Sequence, residues 1–303
     1  MRRIALLTLE ERHGYVIDDA LAVDELRRRG HAVDEVPWKR TSGWSDYDGV
    51  IVRTTWDYHR QVDAFLAALE RIAAATPVAN PVALVRWNAR KTYLRELQSR
   101  GVCIVPTVWG EGLDAAQVGA LPQQLGAGRC VLKPVVSANA EDTFRIDASL
   151  PAAELERIAA RYPQRGWMAQ PYVASIATEG ESSLFYFSGE YSHAARKVPK
   201  AGDFRVQEEH GGNITGFDAS PELRAAAEKT LAALDAPPLQ ARVDLVRLDD
   251  GALALMELEL IEPSLYFRTH PDAPRHFADA VERWLSTPSV VFRAGSAAKS
   301  LNE

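Results

Sequence analysis

The chain has 303 residues, of which 47% are hydrophobic and 25% charged, and its net charge at pH 7 is −6. The acidic balance excludes a general binder of nucleic acid or of anionic membranes, and the length predicts two or three compact lobes. Two cysteines without metal-ligand spacing, Cys103 and Cys130, and a short apolar run at 4–9 argue against structural zinc, a signal peptide and a membrane span, so we expect a cytoplasmic protein with buried, reduced thiols.

Residues 1–82 are predicted to form a small α/β lobe. The expected elements are buried strands at 4–8, 31–33 and 49–52 and helices at 18–29 and 60–74. Strand–helix–strand order with short connections implies parallel pairing in a doubly wound sheet. No G-x-G-x-x-G follows the first strand, so a nicotinamide-binding protein is disfavoured.

The segment after the third strand of this lobe is a candidate substrate contact, because ligands of such sheets bind beyond the carboxyl ends of the strands. Arg53 could pair with a substrate carboxylate, and Trp56 and Tyr58 could form a wall. Together with Asp57 and Arg205, Arg53 would suit a small zwitterion such as an amino acid. The alternative is a loop whose aromatic residues simply pack on the lobe.

Residues 83–175, with a linker that extends to 180, are predicted to form a second unit. The expected elements are helices at 86–100, within 110–128 and at 152–162, and strands at 102–105, 129–134, 144–146 and 167–173. Lys133 lies inside an apolar strand, where a lysine is costly to bury unless an anion such as phosphate meets it. The loop at 135–143 is rich in small and polar residues. It either lays backbone N–H groups against phosphates or forms an ordinary surface turn.

Residues 176–303 are predicted to form a third unit. The expected elements are a hairpin with strands at 182–188 and 191–198, a polar loop at 199–213, a helix from 221 to 235, a second hairpin within 241–267 and a last helix at 272–286. Ser220 followed by Pro221 is a typical helix start, with a side-chain cap and then a proline.

The second hairpin carries three acidic side chains, Asp244, Glu257 and Glu259, within apolar runs. Strand alternation places Glu257 and Glu259 on one face, and pairing across the turn at 249–251 brings Asp244 alongside them. Three neighbouring carboxylates repel one another unless cations lie between them, and Mg²⁺ that also carries substrate phosphates fits such oxygen ligands. The alternative is a solvated acidic face on a surface hairpin.

A series of features follows one another along the chain: the small α/β lobe, Lys91, Lys133-Pro134, the small-residue loop, Gln170-Pro171-Tyr172-Val173, Glu181, Arg242-x-Asp244 and Glu257-x-Glu259. This order resembles the ATP-grasp superfamily, in which two α+β subdomains close on ATP. Within it the chain is similar to ribosomal-protein glutamate ligases, glutathione synthetases and D-alanine–D-alanine ligases, and most of all to the cyclo-ligase family of D-cycloserine biosynthesis. The fold class is therefore expected to be α/β, with two ATP-grasp subdomains after the first lobe.

The resemblance implies which residues bind ATP. They are Lys91, Lys133 and Ser137 at the phosphates, Gln170, Pro171, Tyr172 and Val173 at the adenine, where the backbone would form the bonds, and Glu181 at the ribose or nucleotide edge. Arg86 and Arg90 are alternatives to Lys91, and Glu179 is an alternative to Glu181.

The resemblance also implies a catalytic centre and an acceptor site. Asp244, Glu257 and Glu259 would bind two Mg²⁺ ions, and Arg205 and Arg242 would stabilise charge on the transferring phosphoryl group. The acceptor site would be shaped by Arg53, Trp56, Asp57, Lys200, Arg205 and Gly212. Glu259 stands where the superfamily usually has Asn, and the glycine-rich phosphate loop is replaced by Ser137-Ala138-Asn139-Ala140, in which Asn139 tolerates left-handed backbone angles.

These features together predict an ATP- and Mg²⁺-dependent carboxylate–amine ligase that acts on a small amino acid-like substrate through an acyl-phosphate. The product would be an open amide or a ring. The alternatives are an ATP-grasp kinase that stops after phosphoryl transfer and a nucleotide-binding module without turnover. We expect small-molecule partners and a homodimer, a common state of related ligases. We expect neither a nucleic acid nor a membrane as a partner.

Overall fold

The computed structural model describes residues 1–287, which form three sheets flanked by helices. The first sheet and its helices comprise β1 (Arg3–Thr8), α1 (Ala20–Arg28), β2 (Ala32–Pro37), β3 (Gly49–Thr54), α2 (Val62–Ala73) and β4 (Val78–Ala79). The strands are parallel, in the order β2-β1-β3-β4. Ile4 packs on the side of α1, whereas its neighbour Ala5 packs on the side of α2. This arrangement confirms the predicted doubly wound lobe.

The second sheet is antiparallel. It and its helices comprise α3 (Val82–Asn88), α4 (Tyr93–Ser99), β5 (Val108–Glu111), α5 (Ala115–Gln124), β6 (Arg129–Pro134), β7 (Phe144–Asp147), α6 (Ala152–Ala159) and β8 (Gly166–Pro171). The strand order is β5-β8-β6-β7. Leu132 on β6 packs in the core with α5 and α6, so its neighbour Lys133 faces the opposite side of the sheet.

The single helix predicted at 86–100 is instead two helices, α3 and α4, separated by a turn at 89–92. Asn88 explains the break, because its side chain donates to and accepts from backbone groups of residues 258–260, at 2.8 and 2.9 Å. Tertiary hydrogen bonds of this kind outweigh the local preference for helix. Lys91 therefore lies in the turn between the helices.

The strand predicted at 102–105 is reduced to one parallel bridge between Ile104 and Leu255. Pro106 follows at once and has no amide N–H with which the pairing could continue. Cys103 in this segment is exposed, which corrects the expectation of two buried thiols, whereas Cys130 is buried.

The third sheet is also antiparallel. It and its helices comprise α7 (Ser175–Thr178), β9 (Glu181–Phe187), β10 (Glu190–Val198), β11 (Asn213–Gly216), α8 (Pro221–Ala232), β12 (Gln240–Arg247), β13 (Leu253–Glu259) and α9 (Ala273–Ser286). The strand order is β11-β10-β9-β12-β13, so both predicted hairpins form. As predicted, Ser220 caps α8, since its hydroxyl accepts from the Leu223 amide at 3.3 Å.

Buried polar bonds join the first sheet to the third. Asn80, which follows β4, is fully buried, and its side-chain amide donates to the carbonyls of Gln240 and Leu260 at 2.8 and 2.7 Å. Its side-chain oxygen accepts from the Leu239 amide at 2.7 Å. On the other side α9 packs Phe277 into a core shared with α1. The two sheets are therefore connected by both polar and apolar contacts.

The domain boundaries predicted at residues 82 and 175 stay predictions. The end of the third predicted unit, residues 288–303, lies outside the described residues. None of the helices in the described part of the chain is both long and apolar enough to cross a bilayer.

His193 on β10 gives the fold a predicted sensitivity to acid. Its ring is 1% exposed, stacks on Phe185 at 4.2 Å, and donates from Nε2 to the Leu265 carbonyl at 2.9 Å. Burial lowers the pKa of His193 from 6.5 to about 3. Below the ordinary histidine pKa the unfolded chain binds a proton that the folded chain does not. We therefore expect His193 to cost about 1.4 kcal/mol of stability per pH unit as the pH falls through this window.

This expectation is tested by urea unfolding of wild type and His193→Gln at several pH values. The variant is expected to lose stability with acid less steeply than wild type. His13→Gln, at an exposed histidine, is the matched control and should keep the wild-type slope. Equal slopes for wild type and His193→Gln would show that His193 does not cause the sensitivity.

Candidate active site

One cleft collects most of the side chains that the sequence analysis selected. Those that line it are Trp56, Lys91, Lys133, Ser137, Gln170, Pro171, Tyr172, Val173, Glu181, Arg205, Arg242, Asp244, Glu257 and Glu259. All three sheets contribute, since Trp56 follows β3, Lys133 lies on β6 and Asp244 lies on β12. The cleft therefore lies where the three sheets meet, the kind of place between lobes at which ligand sites commonly form.

The β12–β13 hairpin places its three carboxylates on the cleft, as predicted. Its register pairs Asp244 with Glu257 and Arg242 with Glu259. Arg242 Nη2 lies 3.0 Å from Asp244 Oδ2 and also bonds Glu259. Lys91 bonds Glu257. Each acidic side chain therefore has a cationic partner, so this wall of the cleft carries alternating charge.

The residues present fit Mg²⁺ by their chemistry, although no group of three or more His, Cys, Asp or Glu side chains within residues 1–287 has the spacing of a metal site. Asp244, Glu257 and Glu259 offer only carboxylate oxygens to the cleft, the donors that Mg²⁺ prefers. Burial, opposed by Arg242 and reinforced by Glu257 and Asp244, raises the pKa of Glu259 to about 7. A divalent cation bound beside Glu259 would favour its charged form and so offset this cost of burial. The role of these residues as metal ligands stays a prediction.

Lys197 on β10 is a cleft residue that the sequence analysis missed. Its side chain is 3% exposed and lies between two carboxylates, bonding Glu181 and reaching Asp244 at 3.1 Å. Although burial and Arg242 oppose it, Asp244 and Glu181 raise the pKa of Lys197 above its usual value. The pair arises from the hairpin register, in which Lys197 stands opposite Glu181. Lys197 therefore links the β9–β10 hairpin to the acidic wall.

Lys133 has a different environment. Among the cations that line the cleft in the described residues, it is the one without a carboxylate at ion-pair distance, and its Nζ has the Met256 sulfur at 3.7 Å as a neighbour. Burial lowers the pKa of Lys133, although the charge of Glu257 acts in the opposite direction. An anion in the cleft would relieve this cost, as predicted for phosphate.

The structure distinguishes between the alternatives that the sequence left open for two nucleotide contacts. Lys91 lines the cleft, whereas Arg86 and Arg90 do not line it. Glu181 lines the cleft, whereas the side chain of Glu179 is 55% exposed. The geometry therefore favours Lys91 and Glu181, whose roles toward ATP stay predictions.

The linker at 170–173 lines the cleft, but one of its backbone donors is already used. The Tyr172 amide donates to the Arg129 carbonyl at 3.0 Å. The Gln170 side chain donates to the Thr107 hydroxyl at 3.1 Å. The predicted backbone bonds to adenine must therefore come from linker groups other than the Tyr172 amide.

Arg53 does not line the cleft, which corrects the prediction that it contacts substrate. It is 1% exposed, and its guanidinium donates to both carboxylate oxygens of Asp19 at 2.7 and 3.0 Å and to the Gln240 side chain at 2.9 Å. The bidentate geometry and the burial make this a structural ion pair between β3, the segment before α1 and β12. The expected zwitterion site at 53–58 keeps only its aromatic residues, Trp56 and Tyr58, at the cleft.

Arg53→Met is therefore expected to weaken the fold. Removing one partner of a buried ion pair leaves Asp19 uncompensated, which costs about 3–5 kcal/mol. Urea unfolding measures the loss. Arg86→Met is the matched control, because the Arg86–Glu70 pair is more than half exposed on both sides, and a loss under about 1 kcal/mol is expected there. A stable Arg53→Met protein with weakened substrate binding would restore the substrate role.

Three further residues predicted for the acceptor site lie outside the cleft. Asp57 accepts from the Trp38 indole at 2.7 Å and so belongs to the first lobe. Lys200 is exposed. Packing explains the glycine at position 212, because a Cβ there would lie 2.0 Å from the Val206 carbonyl oxygen. Of the residues at 200–212 that were predicted for the acceptor site, Arg205 lines the cleft, and Asp203 bonds its guanidinium at 2.7 Å.

The loop at 135–143 is fixed over the cleft by contacts to two other segments. The Glu141 carboxylate hydrogen-bonds His59 Nε2 at 2.6 Å, and the Asn139 carbonyl lies 3.2 Å from His210 Nε2. The φ angle is 50° at Asn139 and 56° at Ala140. Asn139 tolerates this left-handed region, as predicted, whereas Ala140 adopts it at a conformational cost.

Comparison with known proteins identifies close relatives. A family model described as the N-terminal domain of D-cycloserine synthetase DcsG matches residues 4–80. The cycloserine biosynthesis protein DcsG of Streptomyces lavendulae is 34% identical over 282 residues, covering 86% of this chain and 91% of that protein. The crystal structure of D-cycloserine synthetase DcsG superposes with a TM-score of 0.81 at 32% identity, over 93% of this chain and 99% of that one.

Two more distant structures share the fold. The ATP-grasp ligase PsnB complexed with minimal precursor, Mg and ADP has a TM-score of 0.63 at 16% identity, covering 93% of this chain and 98% of that one. D-alanine–D-alanine ligase from Bacillus anthracis complexed with ATP has a TM-score of 0.61 at 15% identity, covering 93% and 95%. The predicted α/β fold of the ATP-grasp type is therefore confirmed.

Proposed function

This chain belongs to the DcsG family of ATP-grasp ligases and is an ATP-dependent carboxylate–amine ligase, and we propose that it activates the carboxylate as an acyl-phosphate and closes a ring within one amino acid-like molecule. The identity to a protein described as D-cycloserine synthetase supports ring closure. Hydrolysis of the ring amide of D-cycloserine gives, on paper, O-amino-D-serine. That open compound is therefore the substrate to test first.

The chemistry takes two steps. A carboxylate oxygen attacks the γ-phosphorus of ATP, so an acyl-phosphate forms and ADP leaves. The amine nitrogen then attacks the acyl carbon and gives up a proton, so the amide bond forms and inorganic phosphate leaves. Both steps depend mainly on positioning and on neutralising charge around the phosphoryl group.

The cleft supplies the groups for both tasks. Lys133 and Lys91 would bind the phosphates, and Arg242 and Arg205 would stabilise charge on the transferring group. The observation that carries this assignment is Lys133, a half-buried cation that lines the cleft without a carboxylate partner among the described residues. An anionic phosphate is the group that such a cation accepts.

Asp244, Glu257 and Glu259 would hold Mg²⁺, with two ions proposed, and the metal would neutralise charge on the ATP phosphates. The complexes of PsnB with Mg and ADP support the use of both. Glu257→Gln keeps the size of the side chain and removes its charge. We expect an increase in the Mg²⁺ concentration needed for half-maximal turnover and a loss of about 100-fold or more in kcat.

Turnover as a function of Mg²⁺ concentration measures this effect. Glu156→Gln, at an exposed glutamate outside the cleft, is the matched control and should leave the Mg²⁺ dependence unchanged. An unchanged Mg²⁺ dependence in Glu257→Gln would remove Glu257 from the metal site.

The proposed reaction is tested by measuring phosphate release from ATP with Mg²⁺ and O-amino-D-serine, with the product analysed by mass spectrometry. ADP, phosphate and a product that has lost one water are expected. A phosphorylated product would indicate a kinase instead. Release that needs a separate amine would indicate an open amide, and ATP binding without release from any substrate would indicate a binding module.

A further inference from the structure

The carboxylates that line the cleft differ in whether a cationic side chain lies at ion-pair distance from them. Four of them have a cationic partner at ion-pair distance, namely Glu181, Asp244, Glu257 and Glu259. Glu262 also lines the cleft, and no cationic partner for its carboxylate occurs within residues 1–287. Glu209 lines the rim but is exposed, so water can solvate it. Glu262 is therefore the half-buried acidic group of the cleft whose charge is left unbalanced.

The position of Glu262 is fixed by the first sheet. It lies in the segment after β13, and its backbone carbonyl accepts from the Trp56 indole at 2.8 Å. Trp56 is itself 7% exposed and contacts Tyr15 at 4.9 Å between ring centroids. The backbone at Glu262 is thus bound to a buried aromatic group, which gives its side chain a rigid support at the first-sheet wall of the cleft.

The surroundings of Glu262 make a negative charge on its carboxylate costly unless a cation lies beside it. Burial raises the pKa of Glu262 well above its usual value, and the charge of Glu259 adds to this effect. Lys133, on the second sheet, is the cation of the cleft in the opposite situation. The cleft thus contains one unpaired cation, Lys133, and one unpaired carboxylate that is half-buried, Glu262, among its described residues. A phosphate anion together with a substrate cation would balance both charges.

We infer that Glu262 binds the ammonium group of the amino acid-like substrate, the group that takes no part in forming the new amide bond. This inference rests on the proposed function and names the chemical class that the site selects: molecules with a free primary amine beside the reacting carboxylate. D-cycloserine keeps such an amine outside its ring, so the product carries the same recognition element. A fixed ammonium also orients the carboxylate relative to the γ-phosphate.

Binding of two rings in the presence of Mg²⁺ and ADP tests the inference by calorimetry. The first probe is D-cycloserine, and the second is isoxazolidin-3-one, the same ring without the amine. Wild type is expected to prefer the amine-bearing ring by about 30-fold or more, the usual penalty for losing one partner of a desolvated charge pair. Glu262→Gln is expected to lose this preference, and Glu262→Asp to retain part of it.

The controls separate binding from folding. ADP binding should be unchanged in both Glu262 variants, which shows that the cleft is intact, and Glu156→Gln should keep the wild-type preference. Equal binding of both rings by wild type, or a preference that persists in Glu262→Gln, would overturn the inference and leave the ring-forming function in place. If wild type binds Mg²⁺ and ADP but neither ring, the proposed product is wrong and the inference falls with it.

Discussion

Lys133→Met is expected to abolish most of the turnover while leaving the protein at least as stable as wild type. The two effects separate because Lys133 has no carboxylate partner among the described residues, so its removal breaks no ion pair. A half-buried lysine without a partner carries a desolvation cost that methionine does not. The same substitution removes the cation proposed to meet the ATP phosphates. A loss of about 100- to 1000-fold in kcat/KM for ATP is expected.

Coupled measurement of ADP formation and of urea unfolding tests both halves of this expectation. Lys229→Met, at an exposed lysine on α8, is the matched control and should change neither quantity. If Lys133→Met unfolds more easily than wild type by more than about 1 kcal/mol, Lys133 has a structural partner and the argument for a phosphate role loses its basis. Retained turnover would remove Lys133 from the phosphate site.

Lys197→Met should have the opposite effect on stability. Lys197 is buried and bonds both Glu181 and Asp244. Removing it leaves two carboxylates in a poorly hydrated cleft with less compensating charge, which is expected to cost about 3–5 kcal/mol. The loss should appear in the urea midpoint at neutral pH. The same methionine substitution thus stabilises or destabilises according to whether the lysine has a partner.

A second substitution isolates the cause. Glu181→Gln removes one of the carboxylates that Lys197→Met leaves unpaired, so the double variant should be more stable than the sum of the two single losses predicts, by about 1–2 kcal/mol. Additive losses would show that Lys197 contributes through packing alone. Lys229→Met is again the matched control, so the urea midpoints of the Lys133, Lys197 and Lys229 variants can be compared directly.

The acidic wall of the cleft was predictable only in part from local signals. The turn at 249–251 joins β12 to β13 and alternation puts Glu257 and Glu259 on one face, but counting from the turn places Asp244 opposite Met256, and a register shift between Asp244 and Leu245 brings it opposite Glu257 instead. The same reasoning misses Lys197. Counting from the turn between β9 and β10 puts Arg196 opposite Glu181. A shift of register between Tyr191 and His193 replaces it with Lys197, and a bulge of this kind leaves no clear mark in the sequence.

Arg53 and Lys91 show a second limit of sequence reasoning. The partners of Arg53 are 34 and 187 residues away along the chain, so a buried structural arginine and a substrate-binding one have the same local pattern. The helix that was predicted to carry Lys91 is broken by hydrogen bonds from Asn88 to residues 258–260. Position after a strand indicates where a site can form, but only the packing of distant segments decides which side chains reach it.

The bonds made by Asn80 and Arg53 determine which part of the molecule can move when substrates enter. They join the first sheet to β12, whereas the second sheet contacts the first at the cleft through the loop residue Glu141, whose carboxylate bonds His59 and Arg60. The Arg60 side chain is 65% exposed and that of Glu141 38%, and ion pairs as exposed as this one are weak. We therefore expect the second sheet, which carries Lys133, to move relative to the first and third sheets when substrates enter. Structures with and without nucleotide should superpose on the first and third sheets, with the displacement confined to the second.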